Sequence, residues 1–67
     1  MNIECSDETV VTTVRVVLLK YEMSQVRQQG PNYGNPMIWV MVDAPRSDDK
    51  DRAIRREIAQ IAGAIIH

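Results

Sequence analysis

The chain contains a single cysteine, Cys5. One thiol excludes an internal disulfide and favours a reducing compartment. Basic excess is also missing: eight Lys and Arg stand against nine Asp and Glu, for a net charge of −1. Without a basic stripe carrying interleaved aromatics, nucleic acid and anionic membrane surfaces are not expected partners. No apolar run approaches bilayer-spanning length. Met1 to Cys5 lacks the basic region and long apolar segment of a signal peptide. A soluble cytoplasmic protein is the expectation. The sole histidine, His67, is terminal, and Cys5 has no neighbouring histidine or second cysteine. Neither a metal site nor a nucleophile pair is therefore expected, and no cofactor. Gly30 and Gly34 lack the lysine and helix context of a phosphate loop.

What is present is apolar sequence in runs. Sixty-seven residues allow one domain, 1–67, and a chain this short buries little surface alone. Yet 45% of it is hydrophobic, which favours a homo-oligomer whose subunits complete each other's cores.

Residues 1–9 read as a mixed start ending in a polar turn at Ser6 to Thr9. Val10 to Tyr21 is rich in Val, Thr and Leu. Its β-branched content predicts a strand covered on both faces, with Val14, Val16 and Leu18 sharing one of them. A helix from about Ser6 to Gln28, capped at Ser6, is the alternative, against which the β-branched run counts. Residues 22–35 form a connector ending in Gly30-Pro31-Asn32-Tyr33-Gly34-Asn35, which is strong turn chemistry. Met37 to Val42 predicts a second strand apolar on both faces, with Pro36 at its start and Asp43-Ala44-Pro45 at its end. Ser47 to about Ile66 predicts a helix. Ser47 or Asp48 caps it, Asp48, Asp49 and Asp51 charge its first turn, and Ile54, Ile58, Ile61 and Ile65 form one face.

The run from Pro36 through Trp39, Asp43, Arg46 and Ser47 into the helix resembles the opening of the 4-oxalocrotonate tautomerase family. Thr13 to Leu18 resembles that family's second strand, and Gly30 to Gly34 its glycine-aromatic hairpin. The two halves stand in swapped order. The resemblance implies an α+β fold: a tautomerase-like β-α-β unit, circularly permuted into strand, long loop, strand, helix. It also implies a trimer or hexamer.

The resemblance further implies a keto–enol isomerase acting on a small 2-oxo acid or its enol. By that match Pro36 is the catalytic base and Arg15 the arginine that polarises the carbonyl. Arg46 grips the substrate carboxylate, and Tyr33 closes the site. Pro36 departs from the pattern, because its nitrogen is acylated by Asn35 and has no lone pair for proton abstraction. Another base, a cut before Pro36, or a non-enzymatic binding or assembly protein of the same fold are the outcomes this leaves. Each matched residue also has an ordinary reading. Arg46 could be a solvated loop cation beside the acidic cluster, and Arg15 an edge or ion-paired charge. Tyr33 could pack a turn, and Pro36 could begin a strand.

Overall fold

The computed structural model describes all 67 residues. Its elements run β1 (Asn2–Cys5), α1 (Glu8–Lys20), β2 (Arg27–Gln29), β3 (Ile38–Met41), α2 (Asp48–Ala59) and β4 (Ala64–Ile66). The sheet order is β2-β3-β1-β4, and every neighbouring pair is antiparallel. Each helix thus joins two strands that flank a third. This is the split β-α-β topology of ferredoxin-like folds.

The α+β class stands, but the order of elements differs from strand, loop, strand, helix. The largest correction concerns Val10 to Tyr21, which is the helix α1 and not a strand. Asp7 caps it: its carboxylate accepts from the Val10 amide at 2.9 Å, and Glu8 sits in the positively polarised first turn. Val10, Val11, Val14 and Leu18 are buried, at helical spacing. Val16, which a strand would place beside Val14, is 61% exposed. The hydroxyls of Thr12 and Thr13 donate to the carbonyls of Glu8 and Thr9, both at 3.1 Å, as threonines in helices do. Thr13 to Leu18, matched to the tautomerase second strand, therefore lies within α1.

Residues 2–5 are not a loose start. They form a central strand, paired with β3 on one side and β4 on the other. Ile3 and Cys5 are fully buried while Asn2 and Glu4 face outwards, which is half-buried alternation compressed into four residues. The strand expected over Met37 to Val42 is β3. The helix expected from Ser47 to Ile66 is shorter, because α2 ends at Ala59 with Gln60 as its cap. The turn after it needs Gly63 at φ +90°, where an added Cβ would lie 2.5 Å from Ser6 Oγ. The chain then returns as β4, so Ile65 belongs to the sheet. Ile54 and Ile58 do face the core. The connector holds the short strand β2, which pairs with β3 as an antiparallel hairpin.

Eleven buried residues form one cluster between the helices and the sheet, with Ile3, Val14, Leu18, Ile38, Val40, Ile54 and Ile58 among them. Fully burying such a side chain contributes about 1.5–3 kcal/mol. Both helices lie against the same sheet face, so the other face has no layer of its own. Register puts Gln29, Trp39, Glu4 and Ile65 in one row across that open face, and Arg27, Met41 and Asn2 in another. No helix is long and apolar enough to cross a membrane.

Candidate functional site

The largest cleft, about 470 Å³, lies between the α1–β2 turn and the β3–α2 loop. The turn supplies Glu22, Met23, Ser24 and Gln25, and the loop supplies Asp43 to Ser47, with Lys50 behind it. The turn is a Schellman motif. The Glu22 amide donates to Leu19 at 2.9 Å and the Met23 amide to Leu18 at 2.9 Å. Glu22 occupies the left-handed position at φ +59°, where glycine is usual, and Gln25 repeats that conformation at φ +56°. On the other wall, Ser47 Oγ accepts from the Lys50 amide at 3.3 Å and fixes the start of α2.

Charge in this cleft is mixed but not fully matched. Asp43 lies 3.7 Å from Arg27, and both side chains are exposed. Arg46 and Lys50 enter no ion pair, although Asp49 and Asp51 are close in sequence. Those aspartates are held by Arg52 and Arg55 along α2. Two cations thus line the cleft with no carboxylate partner of their own. Both are free to meet an incoming anion without breaking an existing bridge.

A second cavity, about 410 Å³, is lined by Arg15, Leu19, Val26 and the same Met23, Ser24 and Gln25. Segment 23–25 is therefore a wall common to the Arg15 and Arg46 cavities. No single cavity holds both guanidiniums. Arg15 is on α1, exposed, and donates to Gln28 Oε1 at 3.3 Å. Pro36 lines none of the three cavities. It is exposed on the returning limb of the β2–β3 arm, where the Met37 amide donates to Asn35 Oδ1 at 3.1 Å. Tyr33 is at the arm's tip, fully exposed, and also lines no cavity. Of the four residues the resemblance singles out, only Arg15 and Arg46 come near a common feature.

The third cavity, about 330 Å³, opens on the uncovered sheet face beneath the arm. It is lined by the apolar Trp39, Met37 and Met41 and by four carboxamide residues, Asn2, Gln29, Asn32 and Asn35. Trp39, Met37, Asn32 and Asn35 stand in the sequence as strand and turn residues, and nothing there marks them as lining one cavity. The available signal was the alternation in β3, where Ile38 and Val40 are buried and Trp39 and Met41 are half-buried. Reading both faces as apolar hid it. His67, set aside as a terminal residue, closes the far side of Trp39. Its ring lies 4.9 Å from the indole, its Nε2 is 3.1 Å from Glu4 Oε1, and its amide donates to Asn2 at 2.8 Å.

Four titratable groups are perturbed, all of them away from these cavities: Glu57, Tyr21, Lys20 and Cys5. Glu57 accepts from the Tyr21 hydroxyl and from Lys20 Nζ at 3.0 Å, joining the end of α1 to α2. The Tyr21 hydrogen bond, then the Lys20 one, hold the Glu57 carboxyl below its usual range, and the same contacts raise Tyr21 and Lys20. Burial, then the Asp7 charge, pushes the Cys5 thiol up, so it is a packed core group with little thiolate character. No group of three or more His, Cys, Asp or Glu side chains could hold a metal ion. The chain matches no protein-family model, no curated protein and no solved structure.

Proposed function

We propose that this chain is a small, non-enzymatic binding domain that holds a small carboxylate, of which a 2-oxo acid is the expected kind. The Arg46 cleft is its binding site. One observation carries the proposal: Arg46 and Lys50 both line a 470 Å³ cleft and neither is engaged by a carboxylate of its own chain. The arginine supplies a planar fork for a carboxylate, and Ser47 and Ser24 add hydroxyls at the walls. Glu22 and Asp43 discriminate against ligands carrying more negative charge than the two cations can meet.

The absence of catalysis in this reading rests on Pro36. Its nitrogen is an amide, and it lies outside the cleft. Self-association, in the trimer or hexamer that the tautomerase resemblance implies, belongs to the same proposal, as does a reducing cytoplasmic setting. Ile65, Leu19 and Val16 support the first, being large apolar side chains left exposed.

A second reading, a weak keto–enol isomerase of the tautomerase kind, is favoured by the wall that the Arg15 and Arg46 cavities share. A substrate lying over Met23 to Gln25 would meet one guanidinium at each end. Ketonisation of phenylenolpyruvate separates the two readings. The binding domain predicts the buffer rate with the protein present. The isomerase predicts an accelerated rate that falls on Arg46→Ala and on Arg15→Ala. Calorimetric titration of pyruvate, with and without Arg46→Ala, tests the binding itself.

A further inference from the structure

The arm between β2 and β3 ends in a feature with no role inside its own chain. Asn32 and Asn35 pair through two backbone hydrogen bonds, 3.0 and 2.9 Å long, and Tyr33-Gly34 makes the turn between them. Gly34 takes φ +81°, which lets the chain reverse within two residues. The turn leaves Tyr33 projecting, 108% exposed, while residues 31–36 are exposed throughout. Tyrosine combines a large apolar ring with a polar hydroxyl, the kind of side chain enriched at protein interfaces, and here it is presented on a well-formed turn.

Directly beneath the arm lies the carboxamide–tryptophan cavity. It contains no charged side chain. A polyanion finds no cation there, and an ionised ligand finds no counter-charge. Its lining residues are one tryptophan, two methionines and four carboxamides, of which Asn35 already accepts from the Met37 amide. A phenol matches that set. Its ring packs on indole and methionine sulfur, and its hydroxyl takes a carboxamide partner.

We propose that Tyr33 of one copy of this chain seats in the Trp39 cavity of a second copy, reciprocally, about a two-fold axis passing beside the two arms. The placement of Tyr33 makes this economical. Its neighbours Asn32 and Asn35 already line the cavity of their own chain, so an axis beside the arm carries each tyrosine into the other's cavity without further reach. Each tyrosine brings roughly 150–250 Å² of surface. A contact built on two such side chains falls below the standard interface range of about 1,200–2,000 Å² in total, in the class of weak, transient contacts. A weak dimer follows, compatible with a hexamer built as a trimer of dimers. The inference rests on the self-association proposed above and adds the residue that makes the contact.

Trp39 is the only tryptophan, so its emission reports the cavity directly. Sedimentation and Trp39 fluorescence should be followed together between roughly 1 µM and 1 mM protein, the range a small interface implies. Association is expected, with emission shifting to the blue as dimer forms. Tyr33→Ala should weaken the dissociation constant at least about tenfold and hold the emission at its dilute value, while Tyr33→Phe keeps most of the association. Because Tyr33 touches nothing else in its own chain, an unchanged circular dichroism spectrum is expected for both variants. Gln29→Arg, which puts a charge in the cavity and leaves Tyr33 in place, should also be monomeric alone. Mixed with Tyr33→Ala it should form a heterodimer with one contact restored. An oligomer indifferent to Tyr33→Ala would overturn the Tyr33 contact and leave self-association standing. A chain monomeric at every concentration would overturn both. Blue-shifted emission on adding a neutral sugar or nucleoside to a monomer would give the cavity to a small ligand and overturn the exchange.

Discussion

The hydroxyl of Tyr21, the residue that caps α1, donates to the carboxylate of Glu57 in the last turn of α2, 36 positions away. Lys20 reaches the same carboxylate. The two helices are thereby joined at one end by three polar groups, while Val14, Leu18, Ile54 and Ile58 belong to the common core beneath them.

This junction predicts a pH dependence of stability. The folded-state value of Glu57 is depressed, first by the Tyr21 hydrogen bond. Its contribution is therefore present above the unfolded carboxylate range and is lost as pH falls through the folded value. Tyr21 and Lys20 are raised, chiefly by their bonds to Glu57, so their contribution is present below their ordinary values and is lost as pH rises through the folded ones. Urea midpoints measured across pH should show a plateau that falls on both sides. Glu57→Gln should flatten both limbs, and limbs unchanged by that substitution would remove the junction from the account.

Glu22 holds a left-handed conformation at the position of the Schellman motif where glycine is favoured. Glu22→Gly should raise the unfolding free energy by about 1 kcal/mol. Chemical denaturation of the two proteins checks it. The same substitution removes a carboxylate from the cleft wall, so affinity for a small anion should rise slightly rather than fall.

A pair of valines distinguishes the helix at residues 8–20 from a strand. Val14 is fully buried and Val16 is 61% exposed. Val14→Ala should cost about 2 kcal/mol through the cavity it leaves. Val16→Ala should be neutral or stabilising by about 0.5 kcal/mol, since alanine is the better helix former. Equal losses at both positions would indicate a period of two and a strand.

The α+β class, the strand at Ile38 to Met41 and the capped start of α2 are legible because each rests on a local signal. Pro45 and Asp43 end a short apolar run, Ser47 caps, and Ile54 and Ile58 keep helical spacing. Helix α1 is obscured because valine and threonine favour strands in isolation, whereas burial of Val10, Val11, Val14 and Leu18 against the sheet decides the matter in the folded chain. Strand β1 is hidden by its length: two buried residues in four carry almost no period. Among the candidate residues, Arg46 stands out in the sequence as a loop cation before a helix start, and the structure places it in the largest cleft. The Trp39 cavity is not legible there, because Asn2, Gln29 and Asn35 come together only through the register of three strands and an arm.

The cleft between Met23 to Gln25 and Asp43 to Lys50 carries the functional reading, and amide chemical shifts test it most directly. Titration of pyruvate into the labelled protein should shift the amides of those two segments together and saturably. With Arg46→Ala the shifts should shrink and the affinity fall by about tenfold or more. Shifts of equal size and midpoint in that variant, or none in either protein, would contradict carboxylate binding at Arg46.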